Sequence, residues 1–236
     1  MTPIFGITEA ALKRTGTDAR VLPKTVIYDP SLSTTLPTGL SITSGINAMA
    51  HAAEGLYARD QNPVTCLMAE EGIRAMAEAL RGIAASPVDI AARSKALYAS
   101  WLCGTVLGTV GMALHHKLCH TLGGSFGLPH AQTHTVILPH ALAYNRNAAP
   151  HAMKRIEHAL RSVDAAAGIH DFAKEVGAPI SLKEIGMRRD DLDRVADIAS
   201  SNPYWNPQPI DRDRIRGLLQ DAFDGVHPRV WDARPG

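Results

Sequence analysis

The amino-acid sequence predicts a mainly α-helical domain that is preceded by one or two short β-strands. After Pro37, apolar residues recur at helical spacing almost to the end of the 236-residue chain. β-Branched and aromatic runs, which are typical of strands, occur instead in about the first forty residues. Prolines separate the helical patterns and begin or end helices there; they stand at positions 63, 87, 129, 150 and 179.

The two strand-type runs are residues 4–8 and 25–28, and turn-forming residues follow them. A pair of strands is at best marginally stable by itself in water. We therefore expect both runs to belong to a sheet that extends beyond this sequence.

Helical patterns cover most of the remaining chain, far above the share of about one third that is usual in globular proteins. Asp211 is a suitable N-cap for the last helix. The segment 201–209, which is rich in asparagine and proline, predicts a rigid loop before it. We expect helices near residues 42–59, 63–85, 89–110, 113–123, 130–147, 150–166, 169–177, 190–200 and 211–223.

The composition argues against several classes of function. Lys+Arg (24) and Asp+Glu (23) nearly cancel, so the chain has no basic field for nucleic acid. No run approaches the roughly 20 apolar residues of a membrane span. Cys66, Cys103 and Cys119 are odd in number and lie in apolar helical patterns. We expect them to be reduced core thiols, which indicates the cytoplasm.

One polar stripe on the first predicted helix is a candidate for chemistry. Asn47, His51 and Glu54 lie together on a face that is separate from the apolar face of this helix. Because Asn47 and His51 are four residues apart, both side chains point into the same space.

A second candidate segment holds four histidines within residues 115–130. His116 and His120 are four residues apart and face away from the leucine face of their helix. The glycine-rich residues 123–127 can reverse the chain and bring His130 back beside His116. We interpret this concentration as functional, and assign the remaining histidines to structural or solvated positions; these are His134, His140, His151, His158, His170 and His227.

Three familiar motifs do not fit this segment. A zinc hydrolase of the HExxH type needs glutamate after its first histidine, whereas Lys117 follows His116. Residues 123–127 match G-x-S-x-G, but a nucleophile elbow follows a strand and these residues follow a helix. The same residues lack the preceding strand and the spacing of a dinucleotide-binding fingerprint.

The histidine spacings resemble the metal-site region of the iron-containing alcohol dehydrogenase superfamily, over residues 45–54 and 116–140. Within it, the sequence is most similar to the maleylacetate reductases, which reduce the carbon–carbon double bond of maleylacetate to 3-oxoadipate with NADH or NADPH during aromatic-compound degradation. The stretches that carry this likeness are 2–9, 20–23, 40–48, 115–120 and 202–209.

The resemblance implies the helical domain of the iron-containing alcohol dehydrogenase and dehydroquinate synthase-like fold. Residues 38–236 would form this metal and substrate domain, and residues 1–37 the residual edge of an α/β nucleotide-binding domain. Family members carry a glycine-rich loop for the cofactor in that domain, and no residues here match it. Cofactor-binding residues are therefore left unassigned, and we expect the chain to be inactive without that domain.

The resemblance also implies roles for individual residues. Asn47, His51, His116 and His130 would be ligands of Fe²⁺ or Zn²⁺, and His120 would face the nicotinamide. Alcohol dehydrogenases have aspartate where this chain has Asn47; because an amide brings no charge, we expect a weakened, even vestigial, metal site. His120 would then be the proton donor, with His51, His116 and His130 as hydrogen-bond donors to an enolate oxygen.

Two alternatives to a maleylacetate reductase stay open. One is a metal-dependent alcohol or aldehyde reductase of the same superfamily. The other is a non-catalytic helical remnant that acts in oligomerisation. For the reductase, we expect a small dicarboxylate substrate and a homodimer.

Overall fold

The computed structural model describes residues 2–9 and 12–231. Two strands, β1 (Ile4–Glu9) and β2 (Leu12–Thr17), form an antiparallel hairpin in which Ile4 pairs with Thr17. Helices make up most of the rest, which confirms the predicted fold class. They are α1 (Thr38–Gly55), α2 (Pro63–Ala85), α3 (Ile90–Thr109), α4 (Leu114–Phe126), α5 (His130–Asn145), α6 (Pro150–Leu160), α7 (Ala165–Glu175), α8 (Leu192–Ser201) and α9 (Arg212–Asp224).

The prediction of a strand at residues 25–28 is wrong. The backbone there pairs with no strand, and the side chain of Ile27 is 85% exposed. The partner of β1 is β2, whose sequence Leu-Lys-Arg-Thr-Gly-Thr carries charges and a glycine and lacks an apolar run. β2 follows β1 directly in the sequence, so the two strands can form a hairpin through a short turn. This proximity outweighs the higher β-propensity of residues 25–28.

Local capping signals explain several helix boundaries. Asn62 caps α2 through a capping box, with Pro63 in its first turn, and Asp211 accepts two backbone N–H groups at the start of α9 as predicted. The helix predicted over 150–166 ends earlier, at Leu160, because Arg161 adopts a left-handed conformation and Asp164 then caps α7.

The apolar core has two parts that share α5. One part joins α1, α2 and α3 with α6 and α7, and the other joins α4 with α8 and α9. From Thr133 to Asn145 every residue of α5 is buried, so this helix runs between the two parts. α1 and α4 each pack against α5, and the polar stripes of these three helices meet there.

Among the described residues, no single helix is long and apolar enough to cross a bilayer. One pair, α3 and α4, reaches that length and hydropathy only together, and the two helices are bent by 96° relative to each other.

Candidate functional site

The first structural feature of the site is a buried carboxylate that links α1 to α4. Glu54 on α1 is fully buried and accepts the backbone N–H groups of Ala113 and His115, both at 2.8 Å. Ala113 is the N-cap of α4 but has no side chain that could cap the helix. Glu54 therefore provides from another helix the negative cap that the first turn of α4 favours.

The same carboxylate fixes the ring of His116. Nδ1 of His116 lies 2.7 Å from Oε2 of Glu54. Because a carboxylate only accepts hydrogen bonds, we assign the proton of the neutral ring to Nδ1, which leaves a lone pair on Nε2. This Nε2 atom is buried and has no hydrogen-bond partner among the described residues.

The histidines from the two predicted segments lie close together. The rings of His51 and His116 are stacked, with centroids 5.0 Å apart and planes 27° apart. The ring of His120 lies 6.0 Å from that of His116, edge to face. Oδ1 of Asn47, one turn before His51, is buried and likewise has no partner among the described residues.

His134, which the sequence analysis set aside as structural or solvated, is fully buried at the centre of this cluster. Its ring centroid is 4.4 Å from that of His130 and 5.0 Å from that of His116. Its Nδ1 atom lies 2.9 Å from Nε2 of His115. The signal that could have identified it is its spacing, because His130 and His134 are four residues apart on α5.

Burial keeps the inner histidines neutral. The pKa of His51 is lowered to about 3, chiefly by burial and in addition by the neighbouring His116 and His130. The pKa values of His115 and His134 are also well below the ordinary range, again mainly through burial. At neutral pH these rings each offer one N–H donor and one lone pair.

His120 lies at the exposed edge of the cluster and contacts the Asn-Pro-rich loop that precedes α9. Its Nδ1 atom is 3.0 Å from the hydroxyl of Tyr204. The ammonium of Lys117 lies 5.7 Å from the centroid of the Tyr204 ring. Asn206 fastens the loop to α5 through two hydrogen bonds with Asn145, at 2.9 and 2.7 Å. The sequence analysis placed Glu54 on the polar stripe of the first helix but gave it no role, and it did not assign Tyr204 to the site.

A cavity of about 430 Å³ opens beside the cluster, between the first turns of α1 and α5. The N-cap residues of these helices, Pro37 and Pro129, make no side-chain capping bonds. The two helix N-termini have backbone N–H groups and a partial positive charge, so the cavity favours anions. Its lining includes Gly39, Leu40, Thr43, Ser44, Asn47, His130, Ala131 and Gln132.

The donor types suit a divalent transition metal, although the described ligand atoms of this cluster that lie within 4.8 Å of one another belong to His115, Cys119 and His134 and not to the predicted ligand set. His116 Nε2 and Asn47 Oδ1 are buried atoms without a partner among the described residues, and imidazole nitrogen suits Fe²⁺ and Zn²⁺. A carboxylate behind a ligating histidine, as Glu54 lies behind His116, is the usual outer support of such a ligand. The predicted ligands carry no negative charge, so any metal ion here would be held by neutral donors only; these ligands are Asn47, His51, His116 and His130.

Comparison with known proteins shows which family this chain resembles. The model of the Fe-containing alcohol dehydrogenase family, C-terminal, matches residues 41–223. The maleylacetate reductase of Burkholderia cepacia is 59% identical over 97% of this chain and 65% of its own length.

Solved structures show the same fold. The crystal structure of maleylacetate reductase from Agrobacterium tumefaciens is 56% identical with a TM-score of 0.93, over 96% of this chain and 65% of that one. An iron-containing alcohol dehydrogenase from Corynebacterium glutamicum is 40% identical with a TM-score of 0.89, over 95% of this chain and 63% of that one. The chain thus spans about 65% of the length of the curated relatives that it matches.

Proposed function

Because this chain belongs to the iron-containing alcohol dehydrogenase family, we propose that it supplies the helical active-site part of a maleylacetate reductase. The reaction would be NAD(P)H-dependent reduction of the carbon–carbon double bond of maleylacetate to 3-oxoadipate. The observation that carries this proposal is the cluster of His51, His116, His120 and His130 beside an anion-favouring cavity. The proposal assigns residues 38–236 to the metal and substrate domain and residues 1–37 to the edge of a nucleotide-binding domain.

The reaction needs a group that stabilises a negatively charged oxygen. When bound, NADH or NADPH supplies hydride to the alkene carbon β to the ketone, and an enolate then forms on the substrate. A neutral histidine that is held rigidly can donate its N–H to the enolate oxygen. His51 suits this role, because burial keeps its ring neutral. His116 does not suit it while neutral, because its N–H faces Glu54.

The enolate must then gain a proton on the carbon next to the ketone. We assign this step to His120, whose position at the exposed edge allows it to take a new proton from solvent. The hydrogen bond between Nδ1 and the Tyr204 hydroxyl orients the ring, so that Nε2 is the atom from which the proton leaves.

The two carboxylates of the substrate fit the electrostatics of the cavity. Gly39 and Leu40 lie in the first turn of α1, and Ala131 and Gln132 lie in the first turn of α5. Backbone N–H groups in such turns bind carboxylates without a charged side chain. A neutral substrate would gain less from this arrangement than a dicarboxylate.

A metal-dependent alcohol or aldehyde reductase is the second candidate. Nε2 of His116 and Oδ1 of Asn47 favour it, because both are acceptors that a cation would satisfy and neither has a partner in the described part of the chain. Bound by Asn47, His51, His116 and His130, Fe²⁺ or Zn²⁺ would supply Lewis acidity at a substrate oxygen.

The cytoplasm is the proposed location, supported by three buried cysteines that are all free thiols. A homodimer stays a prediction from the family resemblance.

The test is maleylacetate-dependent oxidation of NADH. It is run on this chain and on a chimera that adds the unmatched N-terminal part of the Burkholderia cepacia relative, each with and without chelator. Activity of the chimera that survives chelation supports the proposal. Ketone reduction that chelator abolishes supports the alcohol reductase. Absence of both activities from a folded chimera would contradict both, leaving the non-catalytic helical remnant.

A further inference from the structure

A second group of histidines lies away from the proposed active site, where α7 meets the segment after α9. It consists of His170 and Asp171 on α7 and His227 in the segment that follows α9. Oδ1 of Asp171 lies 2.9 Å from Nε2 of His227 and 3.5 Å from Nδ1 of His170. The two imidazole rings have centroids 4.5 Å apart.

The ring of His170 is poorly satisfied by these contacts. The residue is only 6% exposed, and its Nε2 atom is buried without a partner among the described residues. Its Nδ1 atom has the 3.5 Å contact with Asp171, which is longer than a normal hydrogen bond. Buried polar groups normally have well-formed partners, and an ion held with Asp171 and His227 would supply one for Nδ1, though not for Nε2.

The spacing of the three side chains suits the coordination of a metal ion. One potential ligand atom from each lies within 4.8 Å of the others. Ligands bonded to a tetrahedral Zn²⁺ at about 2.0–2.2 Å lie roughly 3.3–3.6 Å apart. The observed 2.9 and 3.5 Å separations are close to this spacing. Two imidazoles and a carboxylate form a donor set that Zn²⁺ accepts, with water completing the tetrahedron.

We propose that His170, Asp171 and His227 form a binding site for a divalent transition metal of the Zn²⁺ class, which fastens the segment after α9 to α7. The site is separate from the proposed active site and does not depend on the proposed reaction. An ion can reach it, because the side chains of Asp171 and His227 are 65% and 54% exposed.

The surrounding charges set the strength of the site. Lys174 lies near His170 and opposes a cation. Arg229 acts on the neighbouring His140, but it forms an ion pair with Asp221, which offsets its charge. His140 on α5 is buried and its pKa is about 3, so it stays neutral and does not repel the ion. With one carboxylate and one opposing lysine, the site should bind more weakly than a structural site built from thiolates.

The experiment uses Co²⁺, whose visible absorption reports four-coordinate binding. Chelator-treated protein is titrated in the wild type and in H51Q/H130Q, which removes two ligands of the candidate active-site metal. H227Q and D171N are each added to this double variant. The matched control is H158Q, because exposed His158 pairs with Glu70 at 2.6 Å but has no second imidazole in that pair.

The expected result is one equivalent of four-coordinate Co²⁺ that Zn²⁺ displaces in H51Q/H130Q, and adding H158Q to this double variant should leave it unchanged. H227Q should lower the affinity for this Co²⁺ ion by at least about 10-fold. Removing a residue that only supports a ligand already costs about 10-fold or more in metal affinity, and removing a ligand should cost more. Zn²⁺ should also raise Tm more in the wild type than in H227Q, a readout that does not require the variants to match in stability. Unchanged binding in both H227Q and D171N, or no Co²⁺ binding in folded H51Q/H130Q, would overturn the proposal.

Discussion

Replacing Glu54 with glutamine tests whether this carboxylate holds the site together. The substitution keeps the size of the side chain but removes its charge and turns one acceptor into a donor. In the wild type, Oε2 accepts from the Ala113 N–H and from His116 Nδ1, and Oε1 accepts from the His115 N–H. The amide can satisfy only part of this set.

The expected loss of stability is large because the group is fully buried. Hydrogen bonds to a charged group contribute about 1.5–3 kcal/mol each, and a buried donor without a partner costs about 1–3 kcal/mol. In E54Q these charge-assisted hydrogen bonds are lost, and at least one buried donor meets the new amide N–H in place of an acceptor. We therefore expect E54Q to lower the free energy of unfolding by about 3–5 kcal/mol.

The measurement is urea unfolding followed by circular dichroism, with E175Q as the matched control. Glu175 pairs with Arg81 at 2.6 Å, but both side chains are nearly half exposed. Such surface pairs contribute only about 0–1 kcal/mol. If E54Q and E175Q unfold at the same urea concentration, Glu54 is not the buried cap of α4, and the proton assignment of His116 loses its support.

Three further predictions follow from other contacts. Y204F removes the hydrogen bond to His120. It should lower kcat of the chimera by up to about 10-fold and shift the pH profile of kcat, while Tm stays unchanged. An unchanged pH profile would show that Tyr204 does not position His120. The pKa of His140 is about 3, chiefly because the ring is buried. The unfolded chain takes up this proton near pH 6.5, so His140 alone should lower the stability by up to about 1.4 kcal/mol per pH unit as pH drops from about 6.5 to about 3. His51, His115 and His134 act in the same direction, so H140N should reduce the total slope in urea unfolding by the share of one proton and not abolish it. In G72A the new methyl would lie 2.8 Å from the sulfur of Cys103. The free energy of unfolding should fall by about 1–3 kcal/mol, seen as a lower Tm. The control is G124A, whose new methyl would contact nothing within 4 Å outside its own helix backbone, so its Tm should stay the same or rise.

The helices could be predicted from the sequence because their signals are local. Asn62 with Pro63 and Asp211 mark helix starts through contacts with their own first turns. The strand at residues 25–28 could not be excluded in this way, because a strand depends on a partner that local propensity does not specify. The observed partner, β2, has little strand-like character and pairs with β1 through nearness along the chain.

The candidate site was predictable to the extent that helical spacing defines it. The spacing of four residues groups Asn47 with His51 and His116 with His120, and the structure brings the rings of His51 and His116 into contact. Spacing does not show which faces of different helices meet. The role of Glu54 depends on the packing of α1 against the start of α4, and this contact joins residues far apart in the sequence.

The placement of charge explains how this fold can suit two chemistries. Glu54 is a buried carboxylate in direct contact with the cluster. Its negative charge is stabilised by hydrogen bonds from the start of α4 and from Nδ1 of His116, on the side of the His116 ring that faces away from Nε2. The atoms on the other side, His116 Nε2 and Asn47 Oδ1, are neutral acceptors. A carboxylate at position 47 would add the charge that tight binding of a divalent ion favours. With asparagine there, the enolate oxygen of the proposed reaction would not be repelled by a carboxylate at position 47. The charge of residue 47 would therefore decide whether the cluster favours a Lewis-acidic metal ion or a hydrogen-bonded enolate.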